Sequence, residues 1–550
     1  MTPDETPRKV TVMAPQGFQL YDTTLRDGTQ QEGLVLTVDD KLAVARHLDT
    51  FGVGFIEGGW PGAVPKDTEF FRRARTELTL HTAELTAFGA TRRPGATVST
   101  DPQVRALLES GAPVITLVAK TDVRHVELAL RTTLAENLAM ITSTVRHLVH
   151  AGRRVFIDAE HYFDGYRANR AYALECVHAA AEAGAETIVL CDTNGGSLPD
   201  RIRDTVTDTL TTTGARLGIH CHNDTGCAVA NTLAAIDAGA THAQGTAHGY
   251  GERCGNADLF TIAANLILKR GLNVLPADRL TTMAETGRAI GELTAQPTHP
   301  ATPYIGRSAF THKAGLHASA LRIDPDLYQH TDPATTGNRM RTLVSDMGGR
   351  SSIELKAREL GYTVTAGSEP VARAAARIKK LENLGYSFES ADASFELLLR
   401  EELSAGTAGP HPFTTDSWQI TVEQHSTTTI SRARIRLHVP GTTPITATAE
   451  GSGPVNALDC ALHQALDTLF PSLAGLELTD YQVRVPTSRR GSAAPTRVLA
   501  TFFDGERSWS TVGVDENLIT ASWQALQEAF RYTLRDITTP VTAMPVPSGP

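Results

Sequence analysis

The first half of the chain repeats one pattern, in which a short apolar run is followed by a polar turn and a longer amphipathic stretch. The apolar runs are FQLYDTT, GFIEGG, AELTAFG, VITLVAK, RVFIDAE, TIVLCDT, LGIHCHND and HAQGTAH. Short apolar runs that alternate with helical patterns are typical of parallel strands buried on both faces. The eight strand–helix units end near residue 270, which is the size of a (β/α)8 TIM barrel. An open doubly wound sheet is the alternative, but no G-x-G-x-x-G follows the first strand.

The pattern changes after the eighth unit. It is mostly helical up to about residue 410, and then apolar positions recur at every second residue, as in ARIRLHV. The tail contains two copies of a strand–strand–strand–helix (βββα) unit. We therefore predict an α/β protein with a disordered lead at 1–15, a TIM-barrel catalytic domain at 16–280, helical linker subdomains at 281–410 and a C-terminal α+β regulatory domain at 411–540.

Composition narrows the class of protein. The formal net charge of −10 argues against nucleic acid or an anionic membrane surface as a partner. No apolar run is long enough to span a bilayer, and the N-terminus lacks the apolar core of a secretion signal. The six cysteines include no C-x-x-C pair, so we expect reduced thiols rather than a disulfide framework. These features predict a cytoplasmic protein.

Polar residues gather at the C-terminal end of nearly every predicted strand. A barrel brings these ends to one face, where the βα loops build the active site. Polar residues begin many loops, which explains one or two of these positions but not an almost complete ring of ionisable groups. The ring comprises Arg26, Asp27, Glu57, Lys120, Glu160, His161, Asp192, Thr193, His220 and His222.

The H-x-H of the seventh strand is the sharpest local feature. Residues i and i+2 of a strand point to the same face, so His220 and His222 reach into one volume. Two imidazoles and one carboxylate, from Asp27 after the first strand, leave open positions on a divalent cation, as a catalytic site requires. Asn256 could add an oxygen or orient a ligand. In isolation, H-x-H and R-D-G would each suit an ordinary polar loop or turn.

Two further residues have both a chemical and a structural interpretation. Arg26 could stabilise negative charge that develops on an oxygen beside the metal, or it could form a structural ion pair with Glu57 or Asp22. The hydroxyl of Thr193 could bind a substrate carboxylate, or it could hold the DTNGG turn.

LYDTTLRDGTQ, IHCHND and GYGERCGNA together resemble the metal-dependent acyltransferase and lyase barrels that include isopropylmalate, homocitrate and citramalate synthases. The resemblance covers almost the whole chain. It includes FTHKAGLHASA and the C-terminal repeat, which looks like the regulatory domain of this family.

Carried over by position, the resemblance implies a divalent metal cation (Mn²⁺, Mg²⁺ or Zn²⁺) held by Asp27, His220, His222 and Asn256. It implies substrate-binding and catalytic roles for four more barrel residues. Arg26 would polarise the oxo group, Gln30 would line the pocket, Glu160 would lie near the acetyl group and Thr193 would hold the substrate carboxylate.

His317 and Tyr328 resemble a catalytic pair that, in the family, reaches the barrel mouth of the partner subunit. The resemblance therefore implies a homodimer. From the residues alone, a histidine is a reasonable general base near neutral pH, although most single histidines cap helices or lie in cores. One segment departs from the family pattern: GTAHGYGERCGN carries His248 where an asparagine is expected. At the barrel mouth, His248 could alter the CoA pocket or the 2-oxo acid pocket, which bears on the identity of the substrate and not on the reaction class.

The resemblance implies an acyltransferase that joins acetyl-CoA to a small 2-oxo acid in a Claisen-type condensation. Pyruvate is the first candidate, giving (R)-citramalate for isoleucine biosynthesis through 2-oxobutanoate; 2-oxoisovalerate, as in a 2-isopropylmalate synthase, is the alternative. The tail would bind an amino-acid effector, isoleucine or leucine, and Gly451–Gly453 could accept its carboxylate, although an ordinary turn is equally consistent. From a different class, the chain could be a non-catalytic amino-acid sensor.

Overall fold

The computed structural model describes residues 17–345, 347–404, 411–485, 491 and 494–536. The predicted lead at 1–15 lies outside the described residues. The chain forms two compact units, one built from residues up to 310 together with 331–339, and the other from 311–330 together with the residues from 340 onwards. Among the described helices, none combines the length and apolar composition that a membrane span needs.

The first unit is a closed barrel of eight parallel strands, as predicted. In chain order, β1–β8 are Gln19–Asp22, Phe55–Gly59, Glu84–Ala90, Val114–Lys120, Arg154–Glu160, Thr187–Asp192, Leu217–Cys221 and His242–Gly245. The ring closes where β1 pairs with β8, with Tyr21 beside Gln244 and Asp22 beside Gly245. Closure places the loop after β1 next to the ends of β7 and β8.

Helices surround the strands. They are α1–α10, with bounds Val38–Phe51, Pro65–Glu77, Pro102–Glu109, Leu134–His150, Tyr162–Ala168, Arg170–Ala183, Pro199–Thr213, Ala228–Asp237, Leu259–Arg270 and Met283–Leu293. Local chemistry sets their starts: Thr37 and Asp40 form a capping box on α1, and Asp258 caps α9. Inside the barrel, the side chains of Tyr21, Phe55, Val114 and Phe156 form a buried, mostly aromatic layer.

The second unit begins with two short paired strands, β9 (Thr311–His312) and β10 (Arg341–Thr342), and with four helices. The helices are α11–α14, with bounds Gly315–Leu321, Arg350–Glu359, Glu369–Asn383 and Asp392–Leu403.

The predicted duplication of the tail is confirmed. The first copy has strands β11–β13 and helix α15, with bounds Thr414–His425, Thr428–His438, Ile445–Gly451 and Pro454–Leu466. The second copy has strands β14–β16 and helix α16, with bounds Glu477–Arg484, Thr496–Phe503, Ser508–Asp515 and Leu518–Thr533. Each set of strands forms a three-stranded antiparallel sheet. Alternate residues of a strand face the same side, and in β12 the residues on the buried side are Ala433, Ile435 and Leu437.

Candidate metal centre and active site

Three side chains converge at the C-terminal end of the barrel. His220 lies on β7, His222 follows that strand directly, and Asp27 lies in the turn after β1. The Oδ2 atom of Asp27 is 3.2 Å from Nε2 of His220 and 3.6 Å from Nε2 of His222. Each of the three residues offers one ligand atom, and these three atoms lie within 4.8 Å of one another. All three residues are buried. The arrangement suits a single cation.

The neighbourhood of these ligands also fits a cation. Asn256 lies across a backbone bridge from His222, and its Nδ2 donates to the carbonyl of Tyr250 at 2.9 Å. Its Oδ1 is buried and has no hydrogen-bond partner among the described residues. A buried amide oxygen without a donor is unfavourable unless a ligand or water completes it. Asn256 therefore suits the role of a fourth or neighbouring metal ligand.

Asp27 and His222 are held in the deprotonated forms that bind a metal, whereas His220 carries a proton that a metal would have to displace. Burial opposes ionisation of Asp27, but the Arg26 guanidinium and the hydrogen bond from His220 lower the pKa of this carboxyl below its ordinary value. Burial, together with repulsion by His220, lowers the pKa of His222 to about 4. Burial also disfavours protonation of His220, but its hydrogen bond with Asp27 raises the pKa of this imidazole. A cation would take the place of that proton, since metal ligands bind in their deprotonated forms.

Arg26 is fixed on three sides. Its Nε donates to Oε2 of Glu57 at 2.7 Å, its Nη1 is 3.6 Å from Oδ1 of Asp27, and its Nη2 is 4.0 Å from Oδ2 of Asp158. Its Cζ lies 3.9 Å from the centre of the Phe88 ring. The predicted structural ion pair with Glu57 is thus present, and it leaves one remaining nitrogen of Arg26 facing Asp27 and the other facing Asp158.

Asp22, the other proposed ion-pair partner, is engaged elsewhere. Its carboxylate accepts from the backbone N–H and the hydroxyl of Thr24. The Glu57 carboxylate instead accepts three hydrogen bonds. The Tyr21 hydroxyl donates to Oε1, and the Thr23 hydroxyl and Nε of Arg26 donate to Oε2.

Glu160 and Thr193 lie at the ends of neighbouring strands. Glu160 is partly buried, and its carboxylate contacts the ammonium of Lys120. The hydroxyl oxygen of Thr193 accepts from the backbone N–H of His161 at 2.9 Å, so its own hydrogen is free to donate to a ligand. The ring of His161 stacks on that of His125, with ring centres 3.8 Å apart.

The remaining predicted site residues are dispersed. Gln30 is exposed and ends the 3-10 turn that follows Asp27. His317 and Tyr328 belong to the second unit, where their rings stack with centres 4.1 Å apart. Their proposed catalytic role stays a prediction.

His248 packs against the barrel helices. Its Nε2 donates to the carbonyl of Gly287 in α10 at 2.8 Å, and its ring lies between those of Tyr250 and Phe260. The contacts give His248 a structural role behind the loop that carries Asn256.

Two polar residues of the barrel interior received no role from the sequence. Asp158 on β5 and Gln244 on β8 are buried close to the candidate metal ligands, and they hydrogen-bond to each other at 2.9 Å. Burial and the nearby charge of Glu57 raise the pKa of Asp158 to about 7. Period-two alternation offered a signal, because Asp158 shares a strand face with Glu160.

Family comparisons agree with this architecture. Residues 17–290 match the HMGL-like family, residues 304–385 match the homocitrate synthase post-HMGL domain-like family, and residues 389–534 match the LeuA allosteric (dimerisation) domain. An HMGL-like barrel thus precedes a LeuA-type tail in this chain.

Individual relatives narrow the family. An (R)-citramalate synthase of Streptomyces coelicolor is 58% identical over 518 residues, covering 94% of this chain and 96% of the relative. An (R)-citramalate synthase of Synechocystis sp. is 45% identical, covering 95% and 97%. A 2-isopropylmalate synthase of Pyrococcus furiosus is 28% identical, covering 93% and 98%. The chain belongs to the (R)-citramalate synthase family.

Proposed function

We propose that this protein condenses acetyl-CoA with pyruvate and water to give (R)-citramalate and CoA. The convergence of Asp27, His220 and His222 carries the proposal, because these side chains could hold a cation at the face where the βα loops of such barrels build the active site. The much higher identity to (R)-citramalate synthases than to a 2-isopropylmalate synthase supports pyruvate over 2-oxoisovalerate as the acceptor.

Asp27, His220 and His222 would hold a divalent cation, Mn²⁺, Mg²⁺ or Zn²⁺, with Asn256 as a fourth or neighbouring ligand. When bound, the cation supplies Lewis-acid polarisation of the acceptor carbonyl.

Side chains of the barrel orient the acceptor. The Nη1 and Nη2 groups of Arg26 point toward Asp27 and Asp158, so they can donate to the acceptor oxygen as negative charge develops there. The free hydroxyl hydrogen of Thr193 can donate to the acceptor carboxylate, and Gln30 would line the entrance. Fixed donors of this kind stabilise charge without reorganising during the reaction.

A base removes a proton from the methyl carbon of acetyl-CoA, and the new carbon–carbon bond forms at the oxo carbon of pyruvate. The oxo oxygen then takes a proton, and water cleaves the thioester to release CoA. His317 with Tyr328, or Glu160, would serve as the base. The stack of His317 on Tyr328 supports their joint action by holding the imidazole in one orientation.

Homodimerisation would bring His317 to a barrel mouth. Exposed apolar side chains around α11 support this arrangement: Leu316, Ile323 and Leu327 are 73%, 77% and 58% exposed. The βα loops of the barrel also expose apolar side chains, among them Val35 and Leu128. Such surfaces are typical of interfaces between chains.

This interface has a direct test. Leu316→Asp should yield monomers in sedimentation experiments and lower the activity, because it places a charge in the proposed interface. Leu384→Asp changes a leucine with 58% exposure outside the α11 surface and is the matched control. A fully dimeric Leu316→Asp variant would contradict the proposed interface.

The C-terminal domain would bind isoleucine or leucine as an effector. A cavity of about 540 Å³ lies between α15 and β14, lined by apolar Val455, Leu476 and Leu478 together with Asp459. The Oδ1 atom of Asp459 is buried without a hydrogen-bond partner among the described residues, so it can accept from the ammonium of an amino acid. Asp459→Asn should weaken inhibition by isoleucine and leave kcat unchanged in its absence.

Free-thiol release from acetyl-CoA, measured across a series of 2-oxo acids, tests the reaction. Pyruvate should give the highest kcat/KM, and chiral chromatography should identify the product as (R)-citramalate. A higher kcat/KM for 2-oxoisovalerate would show that pyruvate is not the preferred acceptor. The absence of thiol release with every 2-oxo acid would refute the condensation.

A further inference from the structure

The imidazole of His220 is the end of a buried hydrogen-bonded chain of three side chains. Its Nδ1 is 2.8 Å from Oε1 of Gln244, and Nε2 of Gln244 donates to Oδ1 of Asp158 at 2.9 Å. All three residues are at most 5% exposed, and they come from three different strands, β7, β8 and β5.

The order of atoms in this chain determines which nitrogen of His220 faces the metal site. A carboxylate oxygen accepts, so the NH2 group of Gln244 faces Asp158 and the amide oxygen faces His220. Nδ1 of His220 must then carry a hydrogen. When the imidazole is neutral, its lone pair is therefore on Nε2, the nitrogen that lies 3.2 Å from Asp27 and would lose its proton to make room for a cation.

The same barrel contains a second series of hydrogen bonds from a carboxylate through a glutamine to a histidine, which serves as an internal comparison. Nε2 of Gln19 donates to Oε1 of Glu186 at 2.8 Å, and Oε1 of Gln19 is 2.9 Å from Nδ1 of His242. Nε2 of His242, however, is buried with no hydrogen-bond partner among the described residues. Its ring packs in the aromatic layer beside Tyr21. This second series of hydrogen bonds orients a histidine of the barrel core and ends at no candidate metal ligand.

We propose that Gln244 and Asp158 are positioning residues of the metal centre, which hold His220 in the tautomer and orientation that present Nε2 to the cation. The inference rests on the proposed function, because it needs the cation to bind at Asp27, His220 and His222. Outer partners of this kind typically change metal affinity by about 10–100-fold when removed.

Asp158 has a second contact that Gln244 lacks. Its Oδ2 lies 4.0 Å from Nη2 of Arg26, so the carboxylate interacts both with Gln244 and with the guanidinium that would polarise the acceptor. Loss of the Gln244 amide should therefore weaken metal binding alone. Loss of the Asp158 carboxylate should in addition raise the KM for the 2-oxo acid at saturating metal.

The test measures Mn²⁺ affinity of the metal-free full-length protein by competition with a chelator. Gln244→Leu removes the acceptor for Nδ1–H of His220 and should weaken Mn²⁺ binding by about 10–100-fold. The matched control is Gln19→Leu, which breaks the comparable chain to His242 and should leave Mn²⁺ affinity unchanged. Unfolding of both metal-free variants, followed by circular dichroism, separates affinity from stability.

An exchange of the two polar groups gives a sharper test with side chains of the same size. Gln244→Glu alone places two carboxylates against each other and should weaken Mn²⁺ binding. Adding Asp158→Asn restores a donor–acceptor pair, because the new amide can donate to the new carboxylate, which still accepts from Nδ1–H of His220. The double variant should regain most of the affinity lost by Gln244→Glu.

The outcomes separate the two proposals. If the unmodified protein binds no divalent cation, the proposed function fails. If it binds Mn²⁺ and Gln244→Leu binds equally well, or Gln19→Leu is weakened to the same extent, only the positioning role of Gln244 and Asp158 is refuted. If Gln244→Leu does not fold, the double variant Gln244→Glu with Asp158→Asn tests the positioning role instead. If that variant does not regain the Mn²⁺ affinity lost by Gln244→Glu, the inference is refuted.

Discussion

The Nε atom of Arg26 lies 2.7 Å from Oε2 of Glu57, a carboxylate that is completely buried inside the barrel. The Arg26 side chain is 14% exposed, so the pair joins a group at the barrel mouth to a group in the interior. Burial is unfavourable for an isolated charge, and each member of the pair compensates the other. Glu57 thus sets the orientation in which Arg26 faces the candidate metal ligands.

Glu57→Gln should lower both stability and activity. The substitution keeps the size of the side chain but removes the nearest of the three carboxylates around Arg26, and breaking a buried pair costs about 3–5 kcal/mol. We expect an unfolding free energy lower by about 3 kcal/mol, measured in urea, and a kcat/KM at least about tenfold lower. Tyr21→Phe removes one hydrogen bond to Glu57 without changing any charge and should cost only about 1 kcal/mol. Equal losses in the two variants would contradict the role of the ion pair.

Removal of divalent cations should abolish thiol release from acetyl-CoA and pyruvate. Chelation followed by desalting should leave a folded but inactive protein, and Mn²⁺, Mg²⁺ or Zn²⁺ should restore activity. His222→Ala should lose far more than the roughly 10²–10⁴-fold expected from the loss of one acid–base group. Metal analysis of the purified His222→Ala variant should show whether the activity is lost because the cation is lost. Full activity of His222→Ala after chelation would leave the proposed chemistry without a centre.

The barrel and the convergence of its ligands followed from the sequence because both depend on strand periodicity. His220 and His222 share a strand face, and ring closure makes β1 the neighbour of β8, which brings Asp27 to them. These relationships need no knowledge of side-chain rotamers. The ion pair of Arg26 with Glu57 was predicted as one of two alternatives, and the structure distinguishes them.

Hydrogen-bond partners inside the barrel could not be read from the sequence. Gln244 and Asp158 lie on strands that are not neighbours in the ring, and their contact across the interior depends on side-chain length and rotamer. A buried glutamine in a strand does not reveal which residue accepts its hydrogens. The contacts of His248 could not be predicted for the same reason, since its hydrogen bond to the Gly287 carbonyl depends on how α10 packs against the barrel.

His248→Asn tests whether this residue affects the choice of acceptor. The backbone at His248 has a φ of 57°, which asparagine adopts readily, so the loop should keep its conformation. The shorter side chain should lose the bond to the Gly287 carbonyl, at about 1 kcal/mol of stability. We expect the ratio of kcat/KM for pyruvate and 2-oxoisovalerate to stay the same. A changed ratio would show that His248 contributes to the acceptor pocket.

Glu528 on α16 should make the stability of the C-terminal domain depend on pH. Burial raises the pKa of this carboxyl from 4.5 to about 7; Glu401 adds to the shift, and the Ser394 hydroxyl and Arg531 oppose it. Between these two pKa values the unfolded chain has released the proton while the folded domain retains it. The unfolding free energy therefore falls as the pH rises from about 4.5 to about 7, and it is constant with respect to this group above pH 7.

Glu528→Gln should remove that fall, because glutamine does not ionise and its amide oxygen can still accept from Ser394. Since the side chain is only partly shielded from solvent, we expect the variant to gain about 1–3 kcal/mol relative to the unmodified protein between pH 5 and pH 8. Tryptophan fluorescence in a Trp60→Phe background isolates the domain, because the other three tryptophans, Trp418, Trp509 and Trp523, lie within it. A stability difference between the two proteins that is the same at both pH values would show that Glu528 has an ordinary pKa in the folded domain.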